Sequence, residues 1–242
     1  MNLGELQTYI GVLTNDPSHD RYSLSDINTE LDGVQDEWNL EASVLEDTVS
    51  VNLTANVSEY DISNLTGTPI AFNRATHKGI PLDKKSEAWL DLYAGGHDWT
   101  TDIGVPKFFF VDVEDPDDQS VFVYPLPQSG DVDRPVVLSY VKRHTPMSSS
   151  TDSPFNANTL LVPYHDGIAF HASARLLLRD PSPGNNLKVY GPTGVWGKGG
   201  YSAIAMGKLD QVIEVFKSLG EEEPKRFRGG RYWNSGTVRL NK

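Results

Sequence analysis

The spacing of apolar residues changes twice along the chain, and this change limits the possible fold more than any other feature of the sequence. Between residues 24 and 38 apolar side chains recur every three or four positions, whereas between residues 49 and 57 every second side chain is apolar. From Tyr164 onwards the spacing of three to four returns. Because a helix repeats about every 3.6 residues and a strand every two, the sequence predicts helices, then strands, then helices again.

Helices are predicted on both sides of the strands. The first covers residues 5–13, and the second follows an apolar stripe over residues 23–38 behind a Ser or Asp cap. Later in the chain, Pro163 to Arg179 is predicted as a helix that starts at the proline. The last helix is expected over residues 202–219, with Gly220 as its C-terminal cap.

About five strands are predicted between Thr48 and Lys142, at residues 48–57, 69–79, 106–113, 120–124 and 134–141. The third and fourth flank a polar turn and should form a hairpin. Residues 84–93 are predicted as a short helix or a turn, residues 147–158 as a linker and residues 181–200 as a loop. Short strands separated by turn residues are typical of a small antiparallel sandwich or an open barrel.

The predicted fold class is α+β: a helical bundle with an inserted antiparallel β-sandwich or barrel-like domain and an extended C-terminal arm. Residues 1–46 and 147–220 are expected to supply the helices of the bundle, residues 47–146 the inserted β domain and residues 221–242 the arm. The strand block therefore interrupts a bundle whose helices come from two separate parts of the chain.

The charge of the chain is unevenly distributed. Its 21 basic and 33 acidic residues give a net charge of −12, but the last 19 residues hold six of the basic ones and no acidic one. The body before residue 224 therefore carries 15 basic and 33 acidic residues, a net charge of −18. An acidic surface disfavours wrapping of DNA, because affinity for phosphates needs a basic face. Solubility alone is a second interpretation of the acidic part.

Other features of the sequence exclude several classes of protein. The chain has no cysteine, which removes disulfides, thiolate metal sites and cysteine nucleophiles. No apolar run approaches the ~20 residues of a membrane-spanning helix. Residues 1–20 lack the basic and apolar regions of a signal peptide, so we expect the chain to be made in the host cytoplasm.

Candidate chemical motifs are incomplete. The nucleophile elbow Gly-x-Ser-x-Gly is absent, and the glycine-rich segment 191–199 has the wrong spacing for a phosphate loop. His165 and His171 lie on one predicted helix but point in different directions, so they do not form a metal pair. The acidic runs 115–118 and 131–133 lack the spacing of a calcium loop and are expected to be solvated turns. We therefore predict no catalytic residue, no metal and no cofactor.

The basic arm, residues 224–242, combines positive charge, glycine and aromatic side chains without a helical period, so we do not expect it to fold alone. Three interpretations of the arm are open: a frayed tail, an arm that binds nucleic acid, or an arm that becomes ordered on a protein partner. Aromatic side chains are enriched at interfaces, which favours a partner. The residues expected to bind that partner are Lys225, Arg226, Phe227, Arg228, Arg231, Tyr232, Trp233, Val238, Arg239 and Leu240.

Six short segments resemble, in their order and spacing over about residues 20–220, the head-to-tail adaptor (connector) proteins of tailed phages. They are Tyr60-Asp61-Ile62-Ser63, Gly79-Ile80-Pro81-Leu82, residues 104–110, residues 123–127, residues 137–140 and Leu161-Val162-Pro163-Tyr164. The acidic helix predicted from Ser23 to Leu40 also resembles the entry helix of that family.

The resemblance implies a structural virion protein without catalysis. Such adaptors form twelve-fold rings at the neck of the virion, under the portal dodecamer. They join the portal to the tail proteins, and DNA passes through the ring without specific binding. The portal would then be the partner of the basic arm. The alternative interpretation is a carbohydrate-binding β-sandwich module of a virion fibre, with Asp98, Trp99 and Trp89 at a sugar site. A zinc- or calcium-dependent enzyme is a more distant third.

Overall fold

The structure, a computed structural model, describes residues 1–93, 99–112, 119–180, 183–190 and 200–218. It is an α+β fold, as the sequence predicts. The helices are α1 (Leu3–Thr14), α2 (Leu24–Ala42), α3 (Glu87–Tyr93), α4 (Pro154–Ala157), α5 (His165–Arg179), α6 (Pro183–Tyr190) and α7 (Tyr201–Ser218). The strands are β1 (Glu46–Val51), β2 (Glu59–Asp61), β3 (Pro69–His77), β4 (Ile80–Lys84), β5 (Phe108–Asp112), β6 (Ser120–Tyr124) and β7 (Val136–Lys142).

α5 lies at the centre of the helical bundle, because small and apolar side chains cover most of its surface. Ile168, Ala169, Ala172 and Leu176 are fully buried. Helices α1, α2 and α7 pack against α5, so helices from both ends of the chain share one core. The packing is closest at Gly167, where a Cβ atom would lie 2.6 Å from the ring of Trp38 and 2.7 Å from the side chain of Lys208.

The strands of the described residues form one mixed sheet of seven strands in the order β1-β7-β3-β4-β5-β6-β2. Neighbouring strands are antiparallel except for β4 and β5, which are parallel. Side chains from both edges of the sheet, Val51 on β1 and Tyr60 on β2, share one apolar core with Leu138 on the second strand β7. Two edges can share a core only if the sheet curls, and the sheet has the shape of a half-barrel.

The sheet differs from the sequence prediction in three respects. Strands β2 and β4 were not predicted, because three and five residues are too few to establish an alternating pattern. The first strand ends at Val51 rather than Val57, although Leu53 stays buried beyond it. The parallel pairing of β4 with β5 makes the sheet mixed, whereas the sequence suggested an antiparallel one. The predicted hairpin of β5 and β6 is confirmed by their antiparallel register.

The later helices differ in their bounds. Pro163 lies inside a short 3-10 turn, Thr159–Tyr164, and α5 begins two residues after it. The expected linker contains α4, and the expected loop of residues 181–200 contains α6, which is anchored by the fully buried Val189. A helix of eight residues without a long apolar stripe gives a weak pattern, so the proline and glycine residues around it dominated the prediction.

The short helix predicted within residues 84–93 is present as α3. Gly220, the segment 191–199 and the whole basic arm lie outside the described residues. The expected domain divisions at residues 46, 146 and 220 stay a prediction. None of the described helices combines the length and the apolar character that crossing a membrane requires.

Candidate functional site

Asn39 and His144 hold the junction between the bundle and the sheet. Asn39 is fully buried on α2; its Nδ2 donates to the carbonyl oxygen of Lys142 (2.7 Å), and its Oδ1 accepts from the N–H of Leu45 (2.8 Å). The chain enters the sheet at Leu45 and leaves it after Lys142. The side-chain amide of Asn39 therefore binds the backbone at both points where the chain passes between the bundle and the sheet. His144, also buried, lies 3.2 Å from Asp32 Oδ1 and 3.0 Å from Asp36 Oδ1 of the same helix.

Sequence analysis did not single out these residues. The available signal was a polar amide on the apolar stripe of α2, between Trp38 and Ala42, since a buried amide needs hydrogen-bond partners. One partner, Leu45, lies six positions further along the chain, but the other, Lys142, lies 103 positions away, and no local pattern specifies it.

The two histidines considered as metal ligands serve the packing of α5. His165 Nδ1 lies 2.9 Å from the amino terminus and 3.0 Å from the carbonyl oxygen of Met1. His171 Nδ1 accepts a hydrogen bond from Trp38 Nε1 (3.1 Å). Burial, and then the charge of the amino terminus, lowers the pKa of His165 to about 4. Burial, and then Arg175, lowers the pKa of His171 to about 4. Both imidazoles are therefore neutral at pH 7.

Potential metal ligands do not converge elsewhere in the described part of the chain, where no group of three or more histidine or acidic residues is placed to hold an ion. Asp131 was expected in a solvated turn, and this expectation is wrong for that residue. Asp131 is buried and pairs with Lys78 Nζ at 3.0 Å, whereas Asp133 is exposed and lies 3.3 Å from the same nitrogen. Both carboxylates raise the pKa of Lys78. The acidic run 115–118 lies outside the described residues.

The aromatic residues considered for a sugar site belong to a second small core. Trp99 is buried, donates from Nε1 to Asp91 Oδ1 (2.9 Å) and packs edge-on against Phe110. Trp89 is half-buried and stacks on Tyr93, with ring centroids 4.6 Å apart. A sugar platform needs an exposed ring face, which the buried Trp99 does not offer. Asp98 lies outside the described residues.

A groove of about 400 Å3 lies between the two edge strands of the half-barrel. Both edge strands line it, together with the turn that connects them. Val49, Val51, Val57, Tyr60 and Ile62 contribute apolar surface, and Glu59 and Asp61 contribute negative charge. We call this feature the seam. Hydrogen bonds from Ser63 lower the pKa of Asp61, so its carboxylate is ionised at neutral pH.

The turn at the end of the seam is held by Tyr60. Its hydroxyl donates to the carbonyl oxygen of Val57 (2.7 Å) and accepts from the N–H of Thr54 (3.2 Å). The N–H of Asn56 donates to the carbonyl oxygen of Pro127 (2.9 Å), and this bond connects the turn to the loop after β6. The seam is therefore a built feature with fixed walls. The ten arm residues predicted to bind a partner, between Lys225 and Leu240, lie outside the described residues, so their placement stays a prediction.

The buried polar groups described above thus hold helices and strands together, and the seam is an open surface. A helical bundle that carries a half-open curled sheet offers such surfaces for contacts with other chains, as a structural protein requires. A family model described as SU10 adaptor protein matches residues 1–190, and the chain belongs to that family. It is a phage adaptor protein, a structural component of the virion. The search of curated proteins found no match.

Proposed function

We propose that this adaptor forms a ring at the neck of the virion, docks on the portal dodecamer and links the portal to the tail proteins. The ring forms part of the channel through which DNA is ejected. The observation that carries the proposal is the match of residues 1–190 to an adaptor family. An adaptor contacts a component on each side, and the resemblance of the sequence to head-to-tail adaptors supports the portal and the tail as these components.

The segments that carry the resemblance support this proposal, because they are neighbours in the fold. The N–H of Gly104 donates to the carbonyl oxygen of Leu126, and the N–H of Lys107 donates to that of Tyr124, both at 2.8 Å. Val137–Tyr140 lies in β7, and Leu161–Tyr164 leads directly into the central helix α5. Although each of these segments is short, together they belong to one framework of sheet and bundle.

The charge of the chain supports a channel role. A net charge of −18 before residue 224 repels DNA phosphates, so DNA slides past such a surface rather than adhering to it. The basic arm has the opposite charge and suits an acidic surface of the portal, with Phe227, Tyr232 and Trp233 as anchors.

The proposal is tested by mixing the protein with purified portal dodecamer and measuring the mass of the complex under native conditions. The full chain should give a ring of about twelve copies on the portal, and deletion of residues 224–242 should abolish or strongly weaken that complex. A matched control replaces the arm by a neutral glycine-serine segment of equal length. Ring assembly of the deleted protein at the affinity of the full chain would show that the arm is not the main portal anchor, and absence of any complex with the full chain would overturn docking itself.

A further inference from the structure

The seam has a free strand edge on its β2 side. The carbonyl oxygen of Ser58 accepts from the N–H of Val123, and the N–H of Ile62 donates to the carbonyl oxygen of Gln119. Residues 58, 60 and 62 therefore direct their backbone groups to β6. Alternation along an antiparallel pair then directs the backbone N–H and C=O of Glu59 and Asp61 away from β6, into the seam. No hydrogen bond from another described residue reaches these groups.

The β1 side of the seam is a poorer edge. The carbonyl oxygen of Leu45 accepts from the N–H of Lys142. By the same alternation, residues 46, 48 and 50 direct their backbone N–H and C=O groups away from β7. The N–H of Thr48, however, already donates to Asp47 Oδ1 at 2.8 Å. An added strand would therefore take its main-chain hydrogen bonds from β2, while β1 supplies the apolar side chains of Val49 and Val51.

The chemistry of the seam defines its occupant. On the inner face of the curled sheet the walls are apolar, and on the outer face the charged residues of the seam, Glu59 and Asp61, are both acidic. A complementary strand has two apolar side chains at positions i and i+2 with a basic side chain between them. A volume of about 400 Å3 lies within the ~300–1,000 Å3 of clefts that hold ligands.

The end of this chain has that pattern. Residues 237–242 are Thr-Val-Arg-Leu-Asn-Lys, in which Val238 and Leu240 flank Arg239. We propose that residues 237–242 of the same chain enter the seam as an added strand on β2 in the free protein, with Val238 and Leu240 against Tyr60 and Ile62 and with Arg239 opposite Asp61. This pairing places Arg239 opposite Asp61 whether the added strand runs parallel or antiparallel to β2.

The length of the remaining chain permits this docking. Helix α7 ends at Ser218, and residues 219–236 leave 18 residues before the docking segment. An extended chain of that length spans up to ~60 Å, and a protein of this size has a radius of gyration of about 18 Å. A tethered segment has an effective concentration of ~1 mM, so insertion into the same molecule outcompetes insertion into another copy at micromolar concentration. The aromatic residues of the arm lie outside the docking segment.

The absence of cysteine makes the pairing directly measurable. The full chain with Asp61→Cys and Arg239→Cys should form a disulfide under mild oxidation, since opposed Cα atoms of a hydrogen-bonded pair lie about 5.5 Å apart. The matched control combines Asp61→Cys with Leu240→Cys, whose side chain faces the other side of the sheet. We expect the 61–239 pair to close at least tenfold faster than the 61–240 pair, and to do so within single chains.

Two outcomes would overturn the proposal. Equal rates for the two pairs would mean random collisions of the tail, and cross-linked dimers in place of cross-linked single chains would assign the seam to another copy. A second measurement needs no cysteine: amide exchange at Glu59 and Asp61 should quicken at least tenfold in Leu240→Asp and stay unchanged in Asn241→Ala. Unchanged exchange in both variants would contradict docking. These experiments use the free protein, so their failure would leave portal docking unaffected.

Discussion

At the scale of the residue, Asn39 shows how one side chain fixes the relation between the two parts of the molecule. Its fully buried side chain holds the carbonyl oxygen of Lys142 and the N–H of Leu45, and both hydrogen bonds are partly buried. Removal of the amide takes the partner from both backbone groups, and each such group costs about 1–3 kcal/mol when it is left unsatisfied away from water. The contribution of Asn39 is therefore larger than that of two ordinary hydrogen bonds.

We predict that Asn39→Ala lowers the free energy of unfolding by about 2–4 kcal/mol. Asn28→Ala is the matched control, because Asn28 lies on the same helix and, among the described residues, its side chain accepts one hydrogen bond, from Gln7. The control should cost less than about 1 kcal/mol. Urea denaturation of the three proteins measures the difference. Equal costs for the two variants would contradict the role of Asn39 at the junction.

The buried His171 makes the stability of the protein depend on pH. Its pKa is about 4 in the folded chain and 6.5 when unperturbed, so the unfolded state binds more protons between these values. Stability contributed by the neutral imidazole is complete above pH 6.5 and is lost as the pH falls towards 4. The loss reaches about 2 kcal/mol by pH 5.

We predict that His171→Gln loses about 2 kcal/mol less stability between pH 7.5 and pH 5 than the parent protein. A glutamine keeps an acceptor for Trp38 Nε1 but does not titrate, whereas His165 and the carboxylates stay the same in both proteins. Denaturation curves at the two pH values give the comparison. Parallel loss of stability in the variant and the parent would exclude His171 as a source of the acid sensitivity.

At the scale of the element, two helical glycines differ in the space around them. Gly167 on α5 lies where a Cβ atom would meet Trp38 at 2.6 Å and Lys208 at 2.7 Å, whereas Gly207 on α7 has no heavy atom within 4 Å of that position. Alanine is otherwise the better helix former by about 1 kcal/mol. The close approach of three helices thus explains why a glycine occupies the centre of the bundle.

We predict that Gly167→Ala destabilises the protein by about 1–3 kcal/mol, whereas Gly207→Ala stabilises it by about 0.5–1 kcal/mol. The same substitution should therefore shift the melting temperature in opposite directions on the two helices. Thermal unfolding followed by circular dichroism measures both shifts. A stabilising Gly167→Ala would mean that the helices do not meet at this residue.

Long elements were predictable from the sequence and short ones were not. The stripe of α2 and its Ser23 cap gave the helix, because many residues repeat the same spacing and Ser23 and Asp26 cap each other. Strand β2 has three residues, and its position as an edge of the sheet is decided by β6, some sixty positions later. The seam could not be predicted for the same reason, since it exists only where two edges of a curled sheet approach each other.

At the scale of the whole molecule, charge separates the body from its arm. Arg175 and Arg179 on α5 form ion pairs with Glu30, Glu37 and Asp26 of α2 at the partly exposed contact between the two helices. Two positive charges face three negative ones there, so these pairs leave the acidic excess of the body in place. The arm holds six basic residues within its last 19 positions. If the arm binds an acidic partner, as proposed, electrostatic attraction should set the association rate and the aromatic side chains should set the dissociation rate.

The last prediction separates a protein partner from DNA. If the arm anchors the protein on the portal, Trp233→Ala should raise the dissociation rate at least tenfold at both 0.05 M and 0.5 M salt, as expected for an anchor worth ~2 kcal/mol. Higher salt should mainly slow association, because charges are screened beyond ~10 Å or less. Ser235→Ala in the same arm is the control. Surface plasmon resonance on immobilised portal gives both rates. If the arm served DNA instead, affinity for DNA would fall with a log–log salt slope of about −5 for six phosphate contacts, with little dependence on Trp233.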